Sequence, residues 1–288
     1  EIAVIVKSAN STFWQNVRKG AETAGTDLGG KYKVTFQGPE SETAIDAQVN
    51  MVDNAVNRGV AGIVLAASDP VALVPAVKKA YESGIPVVLI DSGLNSDGKY
   101  YQSFLATDNR AAGKLAAEKL LAKVKGGKVA VMSFTQGAAS AIERTGGFID
   151  EVKSKAEYKI VGPYYSNSEM VTALNQTEDV LGSNPDIAAI FGANEPTAVG
   201  MARAVKQKGF AGKIVAVGFD GNSDLQNFVR DGTLDGIVVQ SSYQMGYKGV
   251  DTIGKLIKGE KVEKVIDTGV VYVTKENIDS EEAKAVLY

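Results

Sequence analysis

Short, unbroken apolar runs recur along this chain, each followed by a longer segment whose apolar residues fall at helical spacing. Runs at Ile2–Val6, Lys33–Phe36, Gly62–Ala66 and Val87–Ile90 read as strands, and Phe13–Leu28, Thr43–Arg58 and Pro70–Ser83 read as helices between them. Ile45, Val49, Val52 and Val56 trace one such helical stripe. Strands that alternate with helices pair in parallel through crossovers, and continuous rather than alternating apolar runs mean burial on both sheet faces. The rhythm resumes after Thr107, with strands expected at Lys128–Met132, Lys159–Gly162, Ala188–Phe191, Ile214–Gly218 and Gly236–Gln240. Helices are expected at Asn109–Val124, Ala138–Lys155, Met170–Leu181, Glu195–Lys208, Asp224–Arg230 and Tyr243–Lys258, before a mostly extended stretch over 262–273. Each half therefore has strands enough for its own sheet. The fold class expected is α/β, with two doubly wound parallel-sheet domains and no floppy linker.

Composition removes whole classes of chemistry. The 288 residues include no Cys and no His. Disulfides, thiolate nucleophiles, histidine-ligated metals, histidine bases and Ser-His-Asp triads are therefore excluded. The 31 basic and 34 acidic residues give a net charge of −3, which opposes nucleic acid as a main partner. No apolar run approaches the ~20 residues that cross a bilayer. The numbering begins almost on the first strand without an initiating Met; a processed terminus and a chosen boundary both explain this. No phosphate-cradling glycine motif follows a strand, and GLNSDG at 93–98 fails the spacing of a calcium loop.

Open α/β sheets bind ligands beyond the carboxyl ends of their strands. The residues found there are mainly polar, with aromatics interleaved and few groups suited to proton transfer. After the first strand comes KSANSTFW, which holds Lys7, Ser11, Phe13 and the only tryptophan, Trp14. An aromatic ring beside polar groups suits a pyranose, whose C–H face lies on the ring while its hydroxyls are held. One of the two rings is expected in the core and the other, Trp14, toward a ligand. Asp91, followed by Ser92, ends PVVLID, and Asp220 ends IVAVGFD. A carboxylate there can accept two hydroxyls side by side; the competing role for each is an N-cap. Arg144 offers five fixed donors, or else a surface ion pair with Glu143. Asn194 and Gln240 suit a hydroxyl or a nearby backbone cap, and Lys7 is either a donor or a solvated strand end.

With those residues in place, the chain resembles the periplasmic sugar-binding proteins of the ribose and glucose/galactose class, type I receptors of ABC transporters. The resemblance covers nearly the whole length and is carried by VIVKSANSTFWQNVRKGAE, GIPVVLIDSG, ATDNRAAGKLAA, ERTGGF, FGANEPTAVGMARAV, VGFDGNSD and VVQSSYQMGYKGV. It implies two α/β domains, 1–107 plus 241–267 and 108–240 plus 268–288, joined by a three-segment hinge that closes on a sugar. It implies ligand binding by Lys7, Ser11, Phe13, Trp14, Asp91, Ser92, Arg144, Asn194, Asp220 and Gln240, with no catalytic residue, metal or cofactor. The partners implied are a monosaccharide, held in the interdomain cleft, and an ABC permease, with a chemoreceptor as a further candidate; the protein is expected to be a monomer. It would work in the periplasm or outside the cell, lipid-anchored if the source is Gram-positive.

Several positions depart from the ribose receptors. Ser92 stands where they carry Arg, Ile142 stands where they carry a second arginine, and their second-domain stacking aromatic is replaced near Ser168, with Tyr164 and Tyr165 as candidate substitutes. These departures make a glucose-like aldose the expected ligand. The alternatives are an autoinducer-2 receptor and the effector-binding core of a sugar-responsive regulator.

Overall fold

A computed structural model describes all residues, 1–288. In chain order the elements are β1 (Ile2–Ile5), α1 (Thr12–Asp27), β2 (Val34–Gln37), α2 (Ile45–Asn57), β3 (Gly62–Leu65), α3 (Val74–Glu82), β4 (Val87–Ile90) and β5 (Ser103–Ala106). There follow α4 (Asn109–Leu121), β6 (Gly127–Ser133), α5 (Ala139–Lys153), β7 (Tyr158–Tyr165), α6 (Met170–Ser183), β8 (Ile187–Gly192) and α7 (Glu195–Gln207). The chain ends with β9 (Val215–Phe219), α8 (Ser223–Arg230), β10 (Gly236–Gln240), α9 (Ser242–Ile257), β11 (Val265–Asp267), β12 (Val270–Val273) and α10 (Glu281–Lys284).

The contacts divide the chain into two compact units. The first holds Glu1–Thr107, Gly137–Ser140 and Ser241–Gly269; the second holds Asp108–Gln136, Ala141–Gln240 and Val270–Tyr288. The backbone thus passes between units after Thr107, Gln240 and Gly269, and Gly137–Ser140 group with the first unit. The expected domains differ from these units in two places: they give Gly137–Ser140 to the second half and end the last first-half segment at Asp267.

The first unit carries a six-stranded parallel sheet in the order β11-β5-β4-β3-β1-β2. The second carries β12-β10-β9-β8-β6-β7, parallel except for β12, which runs antiparallel to β10 at the edge. Central strands bury every residue, as in β1, β3 and β4, because helices cover both sheet faces. Edge strand β7 instead alternates between partly buried and exposed positions. Ile5, Leu65 and Leu89 pack with Val52, Ala55 and Val77 in the first core. Met132, Ile190 and Ile237 pack with Ala198, Met201 and Leu225 in the second.

In both units the first strand sits between the second and third, so the sheet order reverses beside it. Ligands bind at such reversal points in open α/β sheets. They lie between β1 and β3 in the first unit, and between β6 and β8 in the second.

Two sequence expectations change. Strand β5 goes unforeseen, since SFLA begins on a serine and follows β4 without a helix. The helix expected from Pro70 begins instead at Val74, because the Asp69 carboxylate holds the Val71 and Ala72 N–H groups in a turn.

Candidate functional site

Each unit gathers buried polar groups at the carboxyl ends of its strands. In the first, Asp91 follows β4 with φ +60°, a left-handed backbone that few non-glycine residues adopt. Its N–H donates to Leu105 O on β5 at 3.0 Å. The next element is β5, so Asp91 caps no helix. Lys7 Nζ lies 2.7 Å from Asp91 Oδ2. The same ammonium donates to Ser92 Oγ at 2.6 Å and Ser140 Oγ at 3.0 Å. Ser92 Oγ in turn donates to Asp91 Oδ2 at 2.9 Å. Lys7 is 2% exposed, so it is no solvated strand end. The ammonium thus meets two hydroxyls and one carboxylate, all within the first unit.

Ser11 is the N-cap of α1, its hydroxyl accepting from Trp14 N at 3.3 Å. Phe13 and Trp14 meet edge to face, with centroids 4.8 Å apart. Burial does not divide them in the expected way: Phe13 is 6% and Trp14 2% exposed. The Trp14 indole N–H donates to Glu42 Oε1 at 3.2 Å.

The second unit repeats the first one's strand-end device. Asp220 follows β9 with φ +76°, and its N–H donates to Val238 O on the neighbouring β10 at 2.8 Å. Asp220 Oδ1 accepts from Gln240 Nε2 and Oδ2 from Glu195 N, both at 2.8 Å. The cap of α8 is Asn222 rather than Asp220. Gln240 Oε1 is buried and has no hydrogen-bond partner in the chain. Behind this group, Tyr288 donates its hydroxyl to Glu195 Oε2 at 2.9 Å. Withdrawal from water, with the charges of Asp220 and Glu195 nearby, holds the Tyr288 phenol well above its ordinary value of 10.

Arg144 is 2% exposed, so the surface pair with Glu143 does not form; Glu143 lies instead 3.9 Å from Arg110. Arg144 Nε and Nη2 donate to Asn109 Oδ1 at 3.0 and 2.6 Å, and Nη1 donates to Ala193 O at 2.7 Å. The guanidinium carbon stands 3.7 Å from the centre of the Phe219 ring. This requires α4 and α5 to touch. They do so through Gly113 and Gly147, where a Cβ would fall 1.9 Å from Arg144 O and 2.1 Å from Arg110 O.

Asn194 takes the capping role at α7, accepting from Thr197 N at 3.2 Å, while its Nδ2 donates to Ser168 Oγ at 3.0 Å. The sequence does not single out Asn109 and Ser140; they hold the candidate side chains Arg144 and Lys7 across long sequence gaps, which no local motif announces.

The arrangement offers fixed carboxylates, amides and a guanidinium. No group of three or more Asp or Glu could hold a metal ion. Its chemistry is hydrogen bonding to a hydroxyl-rich ligand.

A family model described as a periplasmic binding protein domain matches residues 2–261. The D-allose-binding periplasmic protein of Escherichia coli is 31% identical over 273 residues, 92% of this chain and 86% of that protein. A solute-binding protein of Agrobacterium vitis, solved with bound D-fucose, is 65% identical with a TM-score of 0.97, covering 100% of this chain and 99% of that one. One from Agrobacterium radiobacter, solved with D-arabinose, is 37% identical with a TM-score of 0.95, covering 100% and 98%.

Proposed function

The chain belongs to the periplasmic binding protein family, and from that premise we propose that it captures D-fucose or an aldose of related configuration. It is a sugar-binding solute receptor of ABC transport and not an enzyme. The observation that carries the ligand class is Gln240. Its Oε1 is a buried acceptor that no group of the chain satisfies, beside a carboxylate already aligned by two donors. Leaving such an acceptor unpaired costs about 1–3 kcal/mol, which a ligand hydroxyl recovers.

D-fucose replaces the glucose-like aldose expected from sequence because the 65%-identical receptor was solved with it. D-fucose is a galactose lacking the 6-hydroxyl, so an apolar C6 methyl stands where glucose has a polar group. The rings of Phe13 and Trp14 suit such a ligand better than one polar all round.

In this reading Asp91, Ser92, Phe13 and Trp14 contribute from the first unit. Arg144, Asn194, Asp220 and Gln240 contribute from the second. Lys7 orients Asp91 and Ser92, and Ser11 sets the start of α1 that carries the two rings. The loaded form then meets an ABC permease outside the cytoplasm, and the receptor acts as a monomer. No helix is long and apolar enough to cross a membrane.

The test is calorimetric titration of refolded, ligand-stripped protein with D-fucose, D-galactose and D-glucose. D-fucose should bind at least ten-fold tighter than D-glucose. Equal or tighter binding of glucose would return the ligand to the glucose class.

A further inference from the structure

We infer that Gln48, which no sequence motif marks, is the positioning residue that sets the sugar-binding end of the first sheet. The inference rests on the proposed sugar-binding role. Gln48 lies on α2 and is completely buried. Its Nε2 donates to Val6 O at 2.9 Å and to Ala66 O at 2.8 Å, and its Oε1 accepts from Ser68 N at 2.8 Å. One side chain thus uses both amide donors and its acceptor on backbone groups of two strand ends.

The place is where the sheet order reverses. Regular pairing of β1 with β3 ends at Ile5 and Leu65, followed by one bond from Ala66 N to Ile5 O at 2.9 Å. Beyond it the two chains separate, and their backbone groups need other partners. Gln48 supplies them as an inserted peptide group would. Val6 directly precedes Lys7, whose ammonium fixes Asp91 and Ser92. The brace therefore sets the backbone from which Lys7 departs.

The second unit meets the same need differently. Ala193 N donates to Met132 O at 2.9 Å, matching the bond between Ala66 and Ile5. Ala193 O then accepts from Arg144 rather than from an amide. In that unit the group closing the reversal point is itself a proposed ligand contact. In the first unit the task falls to Gln48, behind the site.

Only an amide of this length fits all three partners. Glutamate keeps the shape but has no donor for Val6 O and Ala66 O, and methionine keeps the volume with neither function.

The test is a double-mutant cycle of Gln48→Glu with Lys7→Met, read as the Kd for D-fucose by calorimetry. Acting through Lys7, Gln48→Glu should weaken binding at least ten-fold in the otherwise native protein and less than two-fold in the Lys7→Met background. Equal weakening in both backgrounds, or none in the native one, overturns the inference. A purely structural residue would lower melting temperature in both backgrounds without this non-additivity. If Gln48→Glu does not fold, hydrogen exchange of the Gln48 side-chain amide in the native protein decides. Slow exchange with and without D-fucose supports a brace formed before binding, whereas fast exchange without sugar overturns it. Failure of the native protein to bind any sugar would instead overturn the proposed function, and this inference with it.

Discussion

Lys7 Nζ and Asp91 Oδ2 stand 2.7 Å apart, with side chains only 2% and 5% exposed. Two charges withdrawn from water in this way are held by each other and by Ser92 and Ser140. Removing one partner strands the other, at a cost of about 3–5 kcal/mol. Replacing both by apolar groups removes the stranded charge. Lys7→Met and Asp91→Leu should each lower stability by that amount. The double variant should be more stable than either single one, as measured by urea unfolding. Additive losses would show that the pair does not act as a unit.

Asp91 and Asp220 share a left-handed backbone, at φ +60° and +76°, and each donates its N–H to the adjacent strand. That conformation costs an L-residue about 1–2 kcal/mol and glycine nothing. Asp220→Gly should therefore be more stable than Asp220→Ala by about 1 kcal/mol in thermal unfolding. Both should lose D-fucose affinity by about 100-fold, because charge-assisted bonds to the sugar vanish in either. Binding and backbone strain then separate in one pair of variants.

The strand-end positions of these two carboxylates are legible in the sequence, because each closes an apolar strand run on a loop of the kind where open sheets bind ligands. The repeated strand–helix rhythm marks both sheets apart from β5, which follows β4 with no helix between them. Gln48, Asn109 and Ser140 were not legible. Gln48 lies in an ordinary amphipathic helix and reaches partners 42, 18 and 20 positions away. The sequence marks Arg144 and Lys7 as candidates but not their burial, since burial of a charge depends on partners the sequence does not place beside it. For Arg144 that partner is Asn109, 35 residues earlier.

Arg144 gives a third prediction. Its fork bonds Asn109 Oδ1 through two nitrogens and Ala193 O through a third, while its central carbon stands over the Phe219 ring. Lysine has neither the fork nor the flat face. Arg144→Lys should destabilise the protein by about 2–3 kcal/mol, since bonds to charged groups are lost and Ala193 O is left unpaired. It should also weaken D-fucose binding at least ten-fold by calorimetry. An unchanged melting temperature would contradict this account of the buried guanidinium.

Tyr288 gives the pH dependence. Burial, together with the charges of Asp220 and Glu195, keeps its phenol protonated well above the ordinary value of 10. The unfolded phenol ionises near that value while the folded one does not. Its contribution is therefore intact below pH 10 and is lost as pH rises from there toward the folded value, at up to about 1.4 kcal/mol per pH unit. Tyr288→Phe removes this ionisation. Urea unfolding between pH 8 and 11 should show the native protein losing stability above pH 10 more steeply than Tyr288→Phe. Parallel curves would contradict the assignment.

Binding of a monosaccharide through these strand-end groups is tested by calorimetric titration of ligand-stripped native protein with D-fucose, D-galactose, D-glucose, D-arabinose, D-allose and D-ribose. One site per chain is predicted, with D-fucose tightest and a Kd near micromolar, about 8 kcal/mol of binding free energy. Absence of heat with every sugar, and no change in melting temperature, would contradict monosaccharide binding.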